Sequence, residues 1–192
     1  MFETLEHIDK TILLAINGFN SSLLDIIFWH VSAGWVFLPL WVFISMYIYR
    51  AKPPKYLVTA VICISMLVLF SDQSSNYVKN NYQRYRPTHN LLIKKQIHTV
   101  DNYVGGTFGF FSGHAANTFG VATFLVMCLH WAPGKKRYLL FLWPMIVGYS
   151  RIYLGVHYPS DIFFGAINGI LWGFLFYVLF KILIKKWNVE TQ

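Results

Sequence analysis

Ser150-Arg151-Ile152-Tyr153-Leu154-Gly155-Val156-His157-Tyr158-Pro159-Ser160-Asp161 joins two strongly apolar segments, yet it carries an arginine, a histidine and an aspartate. Polar groups at the edge of a membrane span are costly, so they are more often functional than decorative. His157 and Asp161 are four residues apart. At that spacing a carboxylate can hold one imidazole nitrogen and leave the other free to attack. The same two residues also suit a structural pair at a helix start, and the rest of the chain has to decide between the two readings.

Composition describes the surroundings of this stretch. The chain has 192 residues, of which 56% are hydrophobic, 19% aromatic and 12% charged. A soluble domain carries about 25% charge, so long apolar runs rather than a globular core are expected, in one membrane domain spanning 1–192. The net charge of +8 sits at the ends of those runs, a pattern of membrane topology. Nucleic acid is not expected as a partner, because no zinc-finger, RNA-binding or basic-helix motif is present. Cys63 and Cys128 fall inside apolar runs and read as inert packing residues. The start of the chain lacks a basic n-region and a cleavage site, so no removable signal peptide is expected.

Residues 1–20 predict an amphipathic N-terminal helix lying in the interface, with Leu5, Ile8, Ile12, Leu13 and Ile16 at helical spacing. A first span is expected over 24–49 and a second from 56, which turns polar at Ser71, Asp72, Ser75 and Asn76 and ends near Lys79. A polar end of that kind must face protein or water. The connection 80–111 holds Arg84, Arg86, His89, Lys94, Lys95 and His98, and ends in an aromatic, glycine-rich stretch expected to fold back on the membrane surface. Further spans are expected over 112–131, over 138–155 with a kink at Pro144, and over 159–184. Ser112, Ala116 and Gly120 form one small-residue stripe, and Gly165, Gly169 and Gly173 another, both suited to close helix packing. The fold class is all-α, an integral-membrane bundle of five helices, or six if the N-terminal helix also spans.

Alternation of spans gathers Lys79, Ser112 to His114, Arg151 and Asp161 on one side. Arg50, Lys52, Lys55, Lys135, Lys136, Arg137, Lys181, Lys185 and Lys186 fall on the other, which is therefore expected to be cytoplasmic. The polar cluster then faces the periplasm or cell exterior. Lys79, Arg86 and Arg151 suit phosphate oxygens, the arginines as forks and the lysine as a point charge. Ser112 and Gly113 open a helix whose free N–H groups welcome an anion. His157, held by Asp161, would attack phosphorus, and His114 would pass a proton to and from the leaving and attacking oxygens. No carboxylate cluster or His/Cys spacing of metal-ligand type is present, so neither a metal nor another cofactor is called for.

Three stretches together resemble the signature of the type 2 phosphatidic acid phosphatases (PAP2), membrane relatives of the vanadium haloperoxidases. The first reads Lys79, six residues, Arg86-Pro87. The second reads Phe111-Ser112-Gly113-His114, with phenylalanine where the family has proline. The third reads Ser150-Arg151, five residues, His157, three residues, Asp161. The resemblance covers about residues 56–175. It implies a helical phosphatase core, metal-independent phosphatase activity and the roles assigned above: His157, His114 and Asp161 catalytic, and Lys79, Arg86, Ser112, Gly113 and Arg151 phosphate-binding.

The substrate expected on these grounds is a membrane lipid whose phosphate lies at headgroup level, with the bilayer as the other partner and no obligate protein partner. Small members of the family resemble undecaprenyl-diphosphate phosphatases or lipid A 1- or 4′-phosphatases of the bacterial inner membrane. Phosphatidylglycerophosphate and phosphatidic acid are further options. A non-catalytic lipid-binding protein, or an anion transporter built on the same bundle, are the competing functions. The first should have lost His157 or His114, and the second should show an inverted repeat.

Overall fold

The structure is a computed structural model that describes residues 2–187. Residue 1 and residues 188–192, the outermost parts of the expected 1–192 domain and 1–20 helix, lie outside the described residues. Among the described residues seven α-helices run α1 Phe2–Gly18, α2 Ser22–Ala33, α3 Leu38–Ala51, α4 Pro54–Tyr82, α5 Gly113–Cys128, α6 Leu142–Tyr153 and α7 Pro159–Lys186. No strand forms among the described residues; a single antiparallel bridge joins Tyr85 to Phe108.

The helices begin and stop for local reasons. Ser21 caps α2, and Gly34 ends it in a left-handed conformation with φ of 81°. That break splits the expected first span 24–49 into α2, a 3₁₀ turn at Trp35–Phe37, and α3. Pro54 opens α4, where its missing N–H costs nothing. The expected kink at Pro144 is absent for the same reason. Residues Lys136–Phe141 form a 3₁₀ turn, α6 starts only at Leu142, and Pro144 falls in its first turn.

α4 and α7 are long and apolar enough to cross a membrane. α1 and α2, bent by 118°, meet the same test only as a pair. By length and composition alone the expected count of five or six is therefore not reached. The 3₁₀ turns interrupt apolar runs that look continuous in the sequence. The outer faces are nonetheless apolar: Val58, Ile62 and Leu69 on α4 and Phe163, Leu171 and Phe174 on α7 are exposed.

α5 is the central helix, buried along nearly its whole length. The two small-residue stripes turn out to be each other's partners. A Cβ on Gly165 would lie 2.6 Å from the Ser112 carbonyl, one on Gly173 2.5 Å from the Gly120 carbonyl, and one on Gly169 would overlap the Ala116 carbonyl. Without side chains between them the two backbones meet, and many weak dispersion contacts add up. Toward the end away from the polar stretches, Tyr56, Cys63, Phe124, Cys128, Phe176 and Phe180 fill the interior. Both cysteines are free and buried.

α1 departs from the usual amphipathic arrangement. Its apolar Leu5, Ile8 and Ile12 are exposed, whereas Asp9, Leu13 and Asn17 are buried against the protein. The face it turns inward thus includes an aspartate and an asparagine. Asn17 donates to the carbonyls of His98 (2.8 Å) and Tyr153 (2.7 Å) and accepts from the His98 N–H.

Candidate active site

Four elements meet at one end of the bundle. The polar end of α4 presents Asp72, Ser75 and Lys79 on one helical face toward the start of α5. A Cβ on Gly113 would sit 3.3 Å from Ser75 Oγ, 3.4 Å from Asp72 Oδ1 and 3.5 Å from Lys79 Nζ. Ser112 caps α5 by accepting from the Ala115 N–H, and its own N–H donates to the Asp161 carbonyl at 3.0 Å, tying α5 to α7. The N–H groups of Gly113 and His114 have no carbonyl partner within the helix. Phe111, which stands where the resembled motif has proline, is buried, and its carbonyl accepts from Ser75 Oγ at 3.1 Å.

His157 sits in the short connection between α6 and α7. Gly155, with φ of 70°, makes the turn, and a Cβ there would overlap Ile97. The His157 ring is 1% exposed, and its Nδ1 lies 3.3 Å from Asp161 Oδ2. Burial, then Arg86, Arg151 and Lys79, push the His157 pKa well below the ordinary imidazole value. A neutral ring whose Nδ1–H points at a carboxylate leaves the Nε2 lone pair for a nucleophile. Asp161 is itself fully buried. Its Oδ2 also accepts the Tyr158 N–H at 2.9 Å, and its Oδ1 accepts from Arg84 Nη1 at 2.8 Å.

The cations divide into two kinds. Among the described residues Lys79, Arg86 and Arg151 form no ion pair, whereas Arg84 pairs with both Asp161 and Asp9. Burial opposes the Arg84 charge, but Asp161 and Asp9 outweigh it and raise its pKa. Arg86 is pushed the other way, by burial and then by Arg151. Arg86 is held by carbonyls alone, Nε to Phe108 at 3.1 Å and Nη1 to Val156 at 3.4 Å, and Gly105 and Gly109 pack directly on its side chain. The aromatic, glycine-rich stretch wraps Arg86. Arg151 is 3% exposed; it donates to Ser32 Oγ and to Tyr103 Oη (3.1 Å), and its Nε is buried with no partner. His114 is exposed at the mouth of this group, close enough to His157, Lys79, Arg86 and Arg151 to interact with each electrostatically.

All eight residues singled out from the sequence thus converge. Sequence reasoning passed over Arg84, Asp9, Ser160, Ser32 and Tyr103. Arg84 looked like one more loop cation, and nothing local marks a helix-1 aspartate 75 residues away as its partner. His98, noted in the sequence only as part of the connection 80–111, places its Nε2 2.9 Å from Asp25 Oδ1, and Tyr153 Oη donates to the same carboxylate.

The PAP2 superfamily matches residues 55–185, which includes every one of the eight. The chain belongs to the PAP2 superfamily. It is accordingly a phosphatase, and the resemblance read from the three motifs holds. Two relatives resemble this PAP2 chain over nearly its whole length. The lipid A 4′-phosphatase of Bacteroides thetaiotaomicron is 34% identical over 196 residues, covering 100% of this chain and 85% of the relative. The lipid A 4′-phosphatase of Porphyromonas gingivalis is 31% identical over 188 residues, covering 96% and 78%. The crystal structure of Aquifex aeolicus LpxE superposes with a TM-score of 0.61 at 27% identity, covering 86% of this chain and 92% of that one. The similarity to membrane lipid phosphatases fits the exposed apolar faces of α4 and α7 and makes this a membrane phosphatase.

Proposed function

We propose that this PAP2 phosphatase removes the 4′-phosphate of lipid A through a phosphohistidine on His157. The observation that carries the mechanism is the set of three cations that form no ion pair among the described residues, Lys79, Arg86 and Arg151, around a buried, carboxylate-held histidine. The substrate rests on the two lipid A 4′-phosphatases that the chain resembles end to end.

In this reading His157 Nε2 attacks phosphorus, and the bond from phosphorus to the sugar oxygen breaks. His114 gives that oxygen its proton. Water then attacks the phosphohistidine, His114 takes back a proton, and inorganic phosphate leaves with His157 restored. Arg86, Arg151 and Lys79, with the Gly113 and His114 N–H groups, hold the phosphoryl oxygens and stabilise the charge that spreads over them in transit. Asp161 keeps the Nδ1 proton in place, so that only Nε2 is available.

The chain is proposed to cross the inner membrane five times, through α2 with α3, α4, α5, α6 with its preceding turn, and α7, with the site facing the periplasm. α1 then lies in the interface. Asp9 and Asn17, about 12 Å apart along the helix axis, both bind groups at the site end, an arrangement that suits a helix lying across that end rather than a sixth span.

The test is phosphate release by purified protein in detergent with a chelator present. Lipid A, undecaprenyl diphosphate, phosphatidylglycerophosphate and phosphatidic acid are offered in parallel, with His157→Ala as control. Release from lipid A at the 4′ position, lost in His157→Ala and unaffected by chelator, is expected. Release from another lipid alone would replace the substrate, and turnover by His157→Ala would remove the covalent intermediate.

A further inference from the structure

Asp9 lies on α1, outside the segment that the PAP2 superfamily matches, and it is 2% exposed. An aspartate buried to that degree must be neutralised by the groups around it. Its Oδ2 accepts from Arg84 Nη2 at 2.7 Å and from the Ser160 hydroxyl, and its Oδ1 accepts the Ser160 N–H at 2.9 Å. Arg84 is shared. Its Nη1 serves Asp161 Oδ1 at 2.8 Å and Ser160 Oγ at 2.7 Å, and its guanidinium lies 4.1 Å from the centre of the Tyr158 ring. Tyr158, Ser160 and Asp161 are consecutive with Pro159 at the start of α7. Asp9 therefore fastens Asp161 by two routes, through the cation that holds its carboxylate and through the backbone and hydroxyl of its neighbour.

We propose that Asp9 is a positioning residue of the active site, acting through Arg84 and Ser160 to hold Asp161, and hence His157, in the geometry of attack. α1 is then part of the catalytic apparatus and more than an interfacial anchor. An Arg84 paired only with Asp161 has one nitrogen idle and can slide along the carboxylate. Asp161 would follow, and the imidazole held 3.3 Å away would lose its orientation. The phosphate cations Lys79, Arg86 and Arg151 do not touch Asp9, so substrate binding should be spared. The inference rests on His157 being the nucleophile.

The experiment compares Asp9→Asn, Asp9→Glu, Arg84→Gln, the double variant Asp9→Asn/Arg84→Gln and His157→Ala, each taken from the size-exclusion peak of the wild type. The readout is steady-state phosphate release from the lipid substrate. Asp9→Asn is expected to lower kcat by roughly 10- to 100-fold, as a small misplacement of a reacting group does, with KM within about twofold. Asp9→Glu, which keeps the charge and moves it by one methylene, should recover part of the loss. In the Arg84→Gln background Asp9→Asn should cost less than it does in the wild type, because the route through Arg84 is already lost and only the one through Ser160 remains to be broken. A kcat for Asp9→Asn within twofold of wild type, or losses that multiply in the double variant, would overturn the proposal. If Asp9→Asn does not reach the wild-type peak, Asp9→Glu decides: lowered kcat at unchanged KM supports the role, and unchanged kcat overturns it. Turnover by His157→Ala would instead overturn the nucleophile assignment on which the inference rests.

Discussion

Arg151→Lys keeps the charge and removes the shape. The wild-type guanidinium donates to Ser32 and Tyr103 with its two Nη atoms and still has a buried, unpartnered Nε. Two of its five N–H bonds are thus taken by Ser32 and Tyr103, which can hold the group in place while the remaining N–H bonds are left for phosphoryl oxygens. A lysine nitrogen at the end of a shorter, flexible stem cannot satisfy Ser32, Tyr103 and the phosphate together. The loss of one preorganised donor to developing charge is about 3–4 kcal/mol, which is roughly 100- to 1,000-fold in rate. Either hydroxyl left without its partner costs a further 1 kcal/mol or so in stability. The assay is kcat/KM for phosphate release, with thermal unfolding in detergent as the companion measurement. Arg151→Gln, which removes the charge as well, should be no more than modestly worse. Arg151→Lys within about threefold of wild type would refute the claim that the geometry of the fork matters, and would leave Arg151 as a point charge.

Three other outcomes are expected. Gly169→Ala should destabilise the bundle by about 1–3 kcal/mol or more, as overpacking does, because its Cβ would overlap the Ala116 carbonyl and come 2.8 Å from the Gly120 nitrogen; an unchanged unfolding temperature would show that α5 and α7 are free to separate. His114→Asn should lower kcat by about 10²- to 10⁴-fold on a lipid phosphate and much less on an aryl phosphate, whose leaving oxygen needs no proton; equal losses on both would argue against proton transfer by His114. Because the His157 pKa is depressed by burial and by the nearby cations, the unfolded chain takes up that proton first as pH falls through about 6.5. Folded stability should therefore drop with pH below that value, and by less in His157→Gln than in wild type; parallel unfolding curves against pH would mean that His157 is not held neutral.

The resemblance to two lipid A 4′-phosphatases runs along essentially the whole chain, α1 included. The superfamily match begins only at residue 55. α1 and its Asp9 are thus a natural place to look for what distinguishes members of this size from the shared core, and the kcat and KM comparison for Asp9 variants addresses that directly.

Much of the site was legible from the sequence because its information is local. Lys79 with Arg86, Ser112 to His114, and Arg151 with His157 and Asp161 are each written within a dozen residues, and the alternation of apolar runs places them at one end. Helix caps and small-residue stripes are local as well, so Ser112, Gly165 and Gly169 announced themselves. Other features depended on context. Gly34 ends a helix within an apolar run because a left-handed residue stops the hydrogen-bond ladder there, and hydrophobicity alone does not register this. Pro144 was read as a kink because the sequence did not show that α6 begins two residues earlier.

Which cation does what was decided only by the tertiary structure. Arg84 and Arg86 are two residues apart and identical in type, yet one is neutralised by two aspartates and the other is left with carbonyls alone. The partners responsible lie far along the chain: Asp9 is 75 residues from Arg84 and 151 from Ser160, and Ser32 is 119 from Arg151. An ion pair has no periodicity and depends on a few ångströms of separation in space, so its sequence neighbours carry no trace of it. The sequence by itself determined the chemistry that is present and the end of the bundle where it collects. The packing of α1 against the start of α7 determined which of these charges are paired and which are left without an ion pair among the described residues, because a buried charge is committed by whatever group the fold brings within reach.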